Sequence, residues 1–227
     1  MNRKRTINAL SVMAVLLTGL VAVEVLADES KTTDGKTSYT AKAFKTVTVG
    51  TQQWMAENLD VSTFRNGDAI PEAKTGADWL AAYRSESPAW CYYNNDPKNG
   101  EKFGKLYNWY AVNDPRGIAP TGWHVPTDKE WQSLITSYGG MSKAFEELKK
   151  ADGFAAKAAG ARWFKDASFN HMDTITFWWS ASKTDKWNAW YHAMHFGLQQ
   201  VGRDNGGMNT GHSVRCVKDQ EERKQKQ

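Results

Sequence analysis

Gly122-Trp-His-Val-Pro-Thr-Asp-Lys-Glu-Trp131 runs a short apolar strand through Pro126 into the start of a helix, and the fold is read outward from it. Thr127 is a favourable N-cap and Glu130 stands at N3. Each side chain can therefore satisfy a backbone N–H that the first helical turn leaves without a partner. Behind them Trp131, Leu134, Ile135 and Tyr138 follow the i, i+3, i+4, i+7 series of a helix with one buried face. A second amphipathic helix is expected over 142–151 through Phe145 and Leu148, stopped by Gly153.

On the N-terminal side, 44–49 alternates apolar and polar at period two, 50–52 is a turn, and 53–59 is a second extended piece, which together suggest a hairpin. The stretch 64–75 is loop, and Trp79, Leu80 and Tyr83 space a short helix over 77–85. Ala89-Trp-Cys-Tyr-Tyr93 is a compact aromatic strand, followed by a dense turn cluster over 94–100 and another aromatic block over 107–112. On the C-terminal side, 154–173 is irregular. Short strands are then expected at 176–182, 189–196, 199–203 and 212–218, separated by turn residues at 204–207 and 209–211. Helices followed by a run of strands indicate an α+β fold with two main helices and short antiparallel strands.

The chain of 227 residues is 41% hydrophobic and 24% charged, enough for one substantial core. Its 11 Trp, 8 Tyr and 9 Phe are first a statement about that core. Residues 1–27 read as a secretory signal peptide: a basic Asn2–Arg5 region, an apolar run from Ala9 to Val23, and Val25-Leu-Ala27 before the cut. The apolar run is shorter than the roughly 20 residues that span a bilayer, so a mature chain without a transmembrane span is expected; Glu24, late in the segment, blurs the cut site and leaves an uncleaved anchor as the alternative. Residues 28–43 are a flexible lead-in, 44–219 the domain, and 220–227 a charged tail. The expected location is exported: extracellular, cell surface or periplasm.

Without residues 1–27 the chain carries 26 basic and 24 acidic residues, a net charge of +2. Nothing resembles the clustered Lys and Arg of a nucleic-acid footprint. An oxidising compartment permits a disulfide between Cys91 and Cys216, tying a middle strand to the last one, and the reading takes them as bridged. Two separately buried thiols are the alternative, which the Cα separation decides.

The series Trp54-Met-Ala-Glu-Asn-Leu59, Cys91-Tyr-Tyr-Asn-Asn-Asp96, Gly104-Lys-Leu-Tyr-Asn-Trp-Tyr-Ala-Val112, Gly122–Trp131, Phe177-Trp-Trp-Ser-Ala-Ser182 and Ser213-Val-Arg-Cys-Val-Lys-Asp219 resembles the Fibrobacter succinogenes major paralogous domain. The resemblance implies a domain of bacterial exported and surface proteins with a C-type lectin-like fold. The Pro-Thr-x-x-Glu-Trp piece and the closing strand also resemble the formylglycine-generating, sulfatase-modifying enzymes. Those use two nearby cysteines, whereas only Cys216 lies in that region here. The Glu-Pro-Asn, Gln-Pro-Asp and Trp-Asn-Asp calcium motifs of sugar-binding lectins are also missing, and fold alone does not confer function.

Asn95, Asp96, Asn99 and Glu101 offer oxygens to a hard cation such as a structural Ca2+, but without the alternating acidic spacing of a calcium loop; a Pro and Gly turn is the simpler reading. No cofactor is expected, and the metal question stays open. His192 and His195 fall on opposite faces of a strand, which argues against zinc. No nucleophile elbow or phosphate-cradling glycine loop occurs, so no catalytic set is assigned and the protein is not read as an enzyme.

The binding surface is assigned to Trp187, Asn188, Trp190, Tyr191, His192, Gln199, Arg203, Asp204, Asn205 and Asn209, where aromatic faces mix with amide and guanidinium donors suited to a sugar ring or a protein epitope. One of Trp190 and Tyr191 is expected to be the inward member of its strand. In lectin-like folds the late strands and loops form the ligand face, so the resemblance points the same way. The expected function is non-catalytic recognition or adhesion, with a glycan or surface protein as partner. A structural subunit of an envelope or extracellular assembly, showing self-association, and an oxidative enzyme of the sulfatase-modifying type are the alternatives.

Overall fold

The structure, a computed structural model, describes residues 22–24 and 44–220. The signal peptide and lead-in expected over 1–43 lie outside the described residues except for β1 (Ala22–Glu24), whose backbone pairs antiparallel with the start of β2 (Phe44–Val49). The charged tail from 221 onward also lies outside them. The rest is a mixed α and β fold built on two five-stranded sheets and a two-stranded ribbon.

The hairpin forms as read. β2 turns through Gly50-Thr51 into β3 (Gln52–Met55), with Val49 opposite Gln52. Gly50 has φ +59°, a left-handed conformation that favours glycine at the turn, and it packs against Ser137. Helix α1 (Gly76–Arg84) starts on a Thr75–Asp78 capping box, and β4 (Trp90–Cys91) follows.

The turn cluster read over 94–100 is mostly helix. Tyr93–Asn95 forms one 3-10 turn and α2 (Pro97–Phe103) follows, because Asp96 caps the Lys98 N–H at 3.0 Å and Pro97 supplies a helical φ at the first position. Asp-Pro serves equally as a turn signal and a helix start, and burial of Phe103 selects the helix. β5 (Leu106–Tyr107) pairs with β4, α3 (Trp109–Val112) is a single turn capped by Asn108, and β6 (Trp123–His124) leads into α4 (Asp128–Ser137) and α5 (Met141–Lys149).

The irregular segment supplies β7 (Ala159–Arg162) and β8 (Phe169–Met172). β9 (Ile175–Lys183), β10 (Asn188–His195) and β11 (Gln200–Gly207) complete the second sheet, ordered β11-β10-β9-β7-β8, with β7 parallel to β9. β11 runs through the expected turn at 204–207 because every residue from Gln200 to Gly207 has a partner on β10. By contrast, the expected strand over 212–218 shrinks to β12 (Val217–Lys218), and His212 and Ser213 make only single bridges to Tyr107 and Trp178. β12 lies between β3 and β6, so the start and end of the domain share the first sheet.

The opening motif joins the two sheets. Its capping box is present, with Thr127 Oγ1 accepting the Glu130 N–H at 3.2 Å and Glu130 Oε2 accepting the Thr127 N–H at 2.8 Å. Trp131 is fully buried, 4.8 Å from the Trp54 ring on β3 and 5.6 Å from the Trp178 ring on β9. Each such ring pair adds about 0.5–1.5 kcal/mol beyond area burial. Substituting one of these rings by alanine costs about 3–5 kcal/mol.

The expected disulfide is absent among the described residues: Cys91 and Cys216 are free, buried thiols. Cys91 packs with Trp79 and Tyr93, whereas Cys216 packs with Trp123 and Val214 in a separate cluster. Burial pushes the two thiols up to about 11 and about 12.

Candidate functional site

The late strands place the ten assigned residues on two faces and at two ends of one hairpin. Trp190, His192 and Arg203 turn toward α4, because alternation along a strand puts positions two apart on one side. Arg203 Nε and Nη2 donate to Asp128 Oδ1 and Oδ2 at 2.7 and 2.8 Å, and its guanidinium lies 3.3 Å over the Trp190 ring. His192 Nε2 reaches the same Oδ1 at 3.1 Å, and its ring stacks on Trp131 at 5.1 Å. Asp128 is the first residue of α4, where the helix dipole also favours a carboxylate.

Burial alone would raise the Asp128 pKa, but the Arg203 and His192 hydrogen bonds outweigh it and hold the carboxyl below its usual range. Arg203 is raised by the Asp128 carboxylate. His192 is pushed down to about 4 by desolvation despite that carboxylate, because Arg203 already answers the charge. A neutral imidazole with its proton on Nε2 fits this arrangement, donating to Asp128 and leaving the buried Nδ1 without a partner. Three of the assigned residues therefore form a clamp between β10, β11 and α4.

Tyr191 and Asp204 lie on the opposite face. Tyr191 is half-buried, 5.8 Å from Phe177 and 5.0 Å from His212, and burial together with Asp204 raises its hydroxyl pKa. Trp190 and Tyr191 are thus both half-buried, one on each face, where a single inward ring was expected. His212 is enclosed by Phe177, Trp179 and Tyr191, and burial pushes it down to about 3.

Trp187 sits in the turn between β9 and β10 and is 55% exposed. Asp185 builds that turn, accepting the Trp187 N–H at 2.6 Å and the Asn188 N–H at 2.9 Å, with Asn188 Nδ2 donating to it at 3.0 Å. Asn188 is therefore occupied as a turn former. Asn209 is buried: Nδ2 donates to Phe164 O at 2.8 Å, and its backbone carbonyl accepts Trp79 Nε1 at 2.8 Å. Gln199 is exposed at the β10–β11 turn, seven strand positions from the Trp187 end and so about 23 Å away. Asp204 and Asn205 are exposed on β11.

Eight of the 11 tryptophans are buried, Trp190 is covered by Arg203, and only Trp163 and Trp187 are exposed. These two flank one segment. Met208 N donates to Trp187 O at 3.0 Å; on the other side Phe164, 5.2 Å from the Trp163 ring, accepts Asn209 and lies 3.9 Å from where a Gly207 Cβ would stand. Lys186 lies 4.5 Å over Trp187 and Lys165 lies 5.7 Å over Phe164. Trp163, Phe164 and Asp128 were not assigned to the site. Nothing local marks the first two, which lie in the stretch without periodicity, but an acidic residue directly after an N-cap was a visible signal for Asp128.

The remaining chemistry is local. His124 Nδ1 meets Asp219 Oδ1 at 2.6 Å and Nε2 meets Glu130 Oε1 at 2.8 Å, and Glu130 first, then Asp219, raise its pKa. In the suggested cation loop, Asp96 caps α2 and Asn99 Nδ2 donates to Tyr93 O at 2.9 Å. Among the described residues no group of three or more His, Cys, Asp or Glu could hold a metal, and no helix is long and apolar enough to cross a membrane.

The family description Fibrobacter succinogenes major domain matches residues 47–218. No curated protein and no solved structure matches the chain.

Proposed function

The chain belongs to the Fibrobacter succinogenes major domain family, and from the exposed surface around Gly207–Asn209 we propose that it is an exported, non-catalytic recognition domain of C-type lectin-like fold that holds a glycan. The observation carrying this reading is that the two exposed tryptophans lie beside a single backbone segment, Trp187 through its own carbonyl and Trp163 through its neighbour Phe164, while eight of the other nine indoles are buried. A flat exposed indole stacks against the C–H face of a pyranose ring, and Asp204 and Asn205, exposed further along β11, offer acceptors and donors for hydroxyl groups. Asp185 fixes the turn under Trp187, so little ordering entropy is lost on binding.

The lectin-like reading is supported by β12 lying between β3 and β6, which brings both ends of the domain into one sheet and leaves the late strands to carry ligand loops. The oxidative alternative is disfavoured by Cys216. Its thiol is fully buried and pushed up to about 12, the reverse of the lowered pKa a reactive thiolate needs.

Glycan-array screening followed by calorimetry tests the proposal. Wild type is expected to bind a subset of glycans, and Trp187→Ala and Trp163→Ala to lose that binding while a Leu198→Ser control retains it. An empty array, or binding that survives both tryptophan substitutions, refutes the assignment.

A further inference from the structure

A cavity of about 320 Å3 opens between segments that the late-strand surface does not use: 56–60, 100–104, 155–157 and Arg215. Its walls depend on backbone geometry. Gly104 has φ +76°, and a Cβ there would lie 2.9 Å from Leu59 O, so glycine lets the end of α2 close against that strand exit.

Arg215 is the unusual member. Its side chain is 1% exposed, and its partners are all neutral: Met55 O at 3.1 Å, Phe154 O at 2.6 Å, and Asn58 Oδ1 at 3.1 Å from Nε and 2.9 Å from Nη2. The guanidinium rests 4.3 Å from the Phe154 ring. Among the described residues no carboxylate forms an ion pair with it, and Glu57 at the cavity answers its charge only through space. A buried cation without an ion-pair partner is costly unless something answers the charge. Of the five N–H groups of a guanidinium, these bonds engage four, leaving one on Nη2, and Arg215 lines the cavity.

The mouth is mixed in sign. Lys157 and Lys102 supply cations; Lys157 Nζ donates to Lys102 O at 3.0 Å, and Lys102 Nζ lies 3.6 Å from Asp173 Oδ1. Glu57 and Glu101 supply acids, Glu57 in a loose, exposed pair with Lys45 at 3.9 Å, whereas Asp60 is already held by the buried Lys105. A polyanion such as phosphate would meet the two glutamates, and a simple cation would meet the guanidinium. A ligand with one charge of each sign satisfies both ends.

We infer that this cavity is a binding site for a small zwitterion of the free amino acid class, its carboxylate taken by Arg215 and Lys157 and its ammonium by Glu57 and Glu101. The site is independent of the glycan surface, and the two readings stand or fall separately.

Calorimetry on the full chain with glycine, β-alanine and γ-aminobutyrate tests it, with acetate, ethylammonium and inorganic phosphate as single-charge and polyanion probes. At least one zwitterion is expected to give a saturable isotherm, weakened about tenfold by Glu101→Gln and by Lys157→Met, the loss of one charge-assisted hydrogen bond each. Both positions are exposed, so these variants fold like the wild type. Failure of all three zwitterions to bind overturns the inference. So does equal binding of acetate or phosphate, or an affinity unchanged in both variants.

Discussion

Removing the Asp128 carboxylate separates structural clamp from exposed recognition group among the late-strand residues. In Asp128→Ala, Arg203 loses a bidentate partner, His192 loses the acceptor for Nε2, and Gln132 loses its helix-surface acceptor. Breaking a buried ion pair from one side costs about 3–5 kcal/mol. Here the Asp128 side chain is 11% exposed but Arg203 is 28% exposed, so the orphaned guanidinium recovers part of its hydration. The expected loss is therefore about 2–3 kcal/mol, between a buried pair and a surface one.

Arg203→Met also gives up the stacking on Trp190, so single variants do not isolate the pair. A double-mutant cycle does, and hydrogen bonds to charged groups predict a coupling of about 1.5–3 kcal/mol. Urea unfolding of wild type, both single variants and the double variant gives the four free energies, provided that the m values agree. A coupling below about 0.5 kcal/mol would place the pair with ordinary surface bridges and refute the clamp.

Three further outcomes are expected. Trp187→Ala shifts unfolding free energy by less than about 0.5 kcal/mol, whereas Trp131→Ala costs about 3–5 kcal/mol or prevents folding; similar losses in denaturant titrations would contradict the exposure assigned to Trp187. A thiol-specific mass label adds to neither cysteine in the native protein and to both after denaturation without reductant, since both are buried and unbridged; native labelling, or a requirement for reductant, contradicts this. Stability falls on acidification. His212 and His192 titrate at about 3 and about 4 when folded but near 6.5 when unfolded, so the unfolded chain binds more protons from about pH 6.5 down to those values. His124 opposes this, because its raised pKa gives stability that is present below about 6.5 and lost as pH rises through the folded value. With two groups against one, thermal midpoints at pH 5 should lie below those at pH 7, and His212→Phe should flatten the slope; an unchanged slope would refute the role given to His212.

Local chemistry made much of the scaffold legible. The Thr127 and Glu130 capping box, the apolar series behind it, the β2–β3 hairpin and the strands at β9 and β10 all depend on contacts a few residues apart, which spacing along the chain encodes. Family membership was likewise legible, because six ordered blocks record positions rather than contacts. Where two local signals coincide, the sequence was ambiguous: Asp96-Pro97 starts α2 although it also reads as a turn, and Gly206-Gly207 stays in a ladder although it reads as a break.

The site depended on what those elements meet. Trp190, His192 and Arg203 have the chemistry of a binding surface, and only the approach of α4 draws His192 and Arg203 onto Asp128, with Arg203 lying over Trp190. Trp163 and Phe164 come from a segment without periodicity, and Phe164 reaches Gly207 and Asn209 through contacts more than forty residues apart in sequence. Cys91 and Cys216 have the composition of a bridge, but the fold puts them in different clusters. Gly122–Trp131 spans both levels: its own residues dictate a strand, a cap and a helix, because each capping partner is three positions from the other. That Trp131 would join two sheets and Asp128 would hold the late strands followed only from the tertiary fold, because a side chain's long-range partners are set by which surfaces the whole chain buries together.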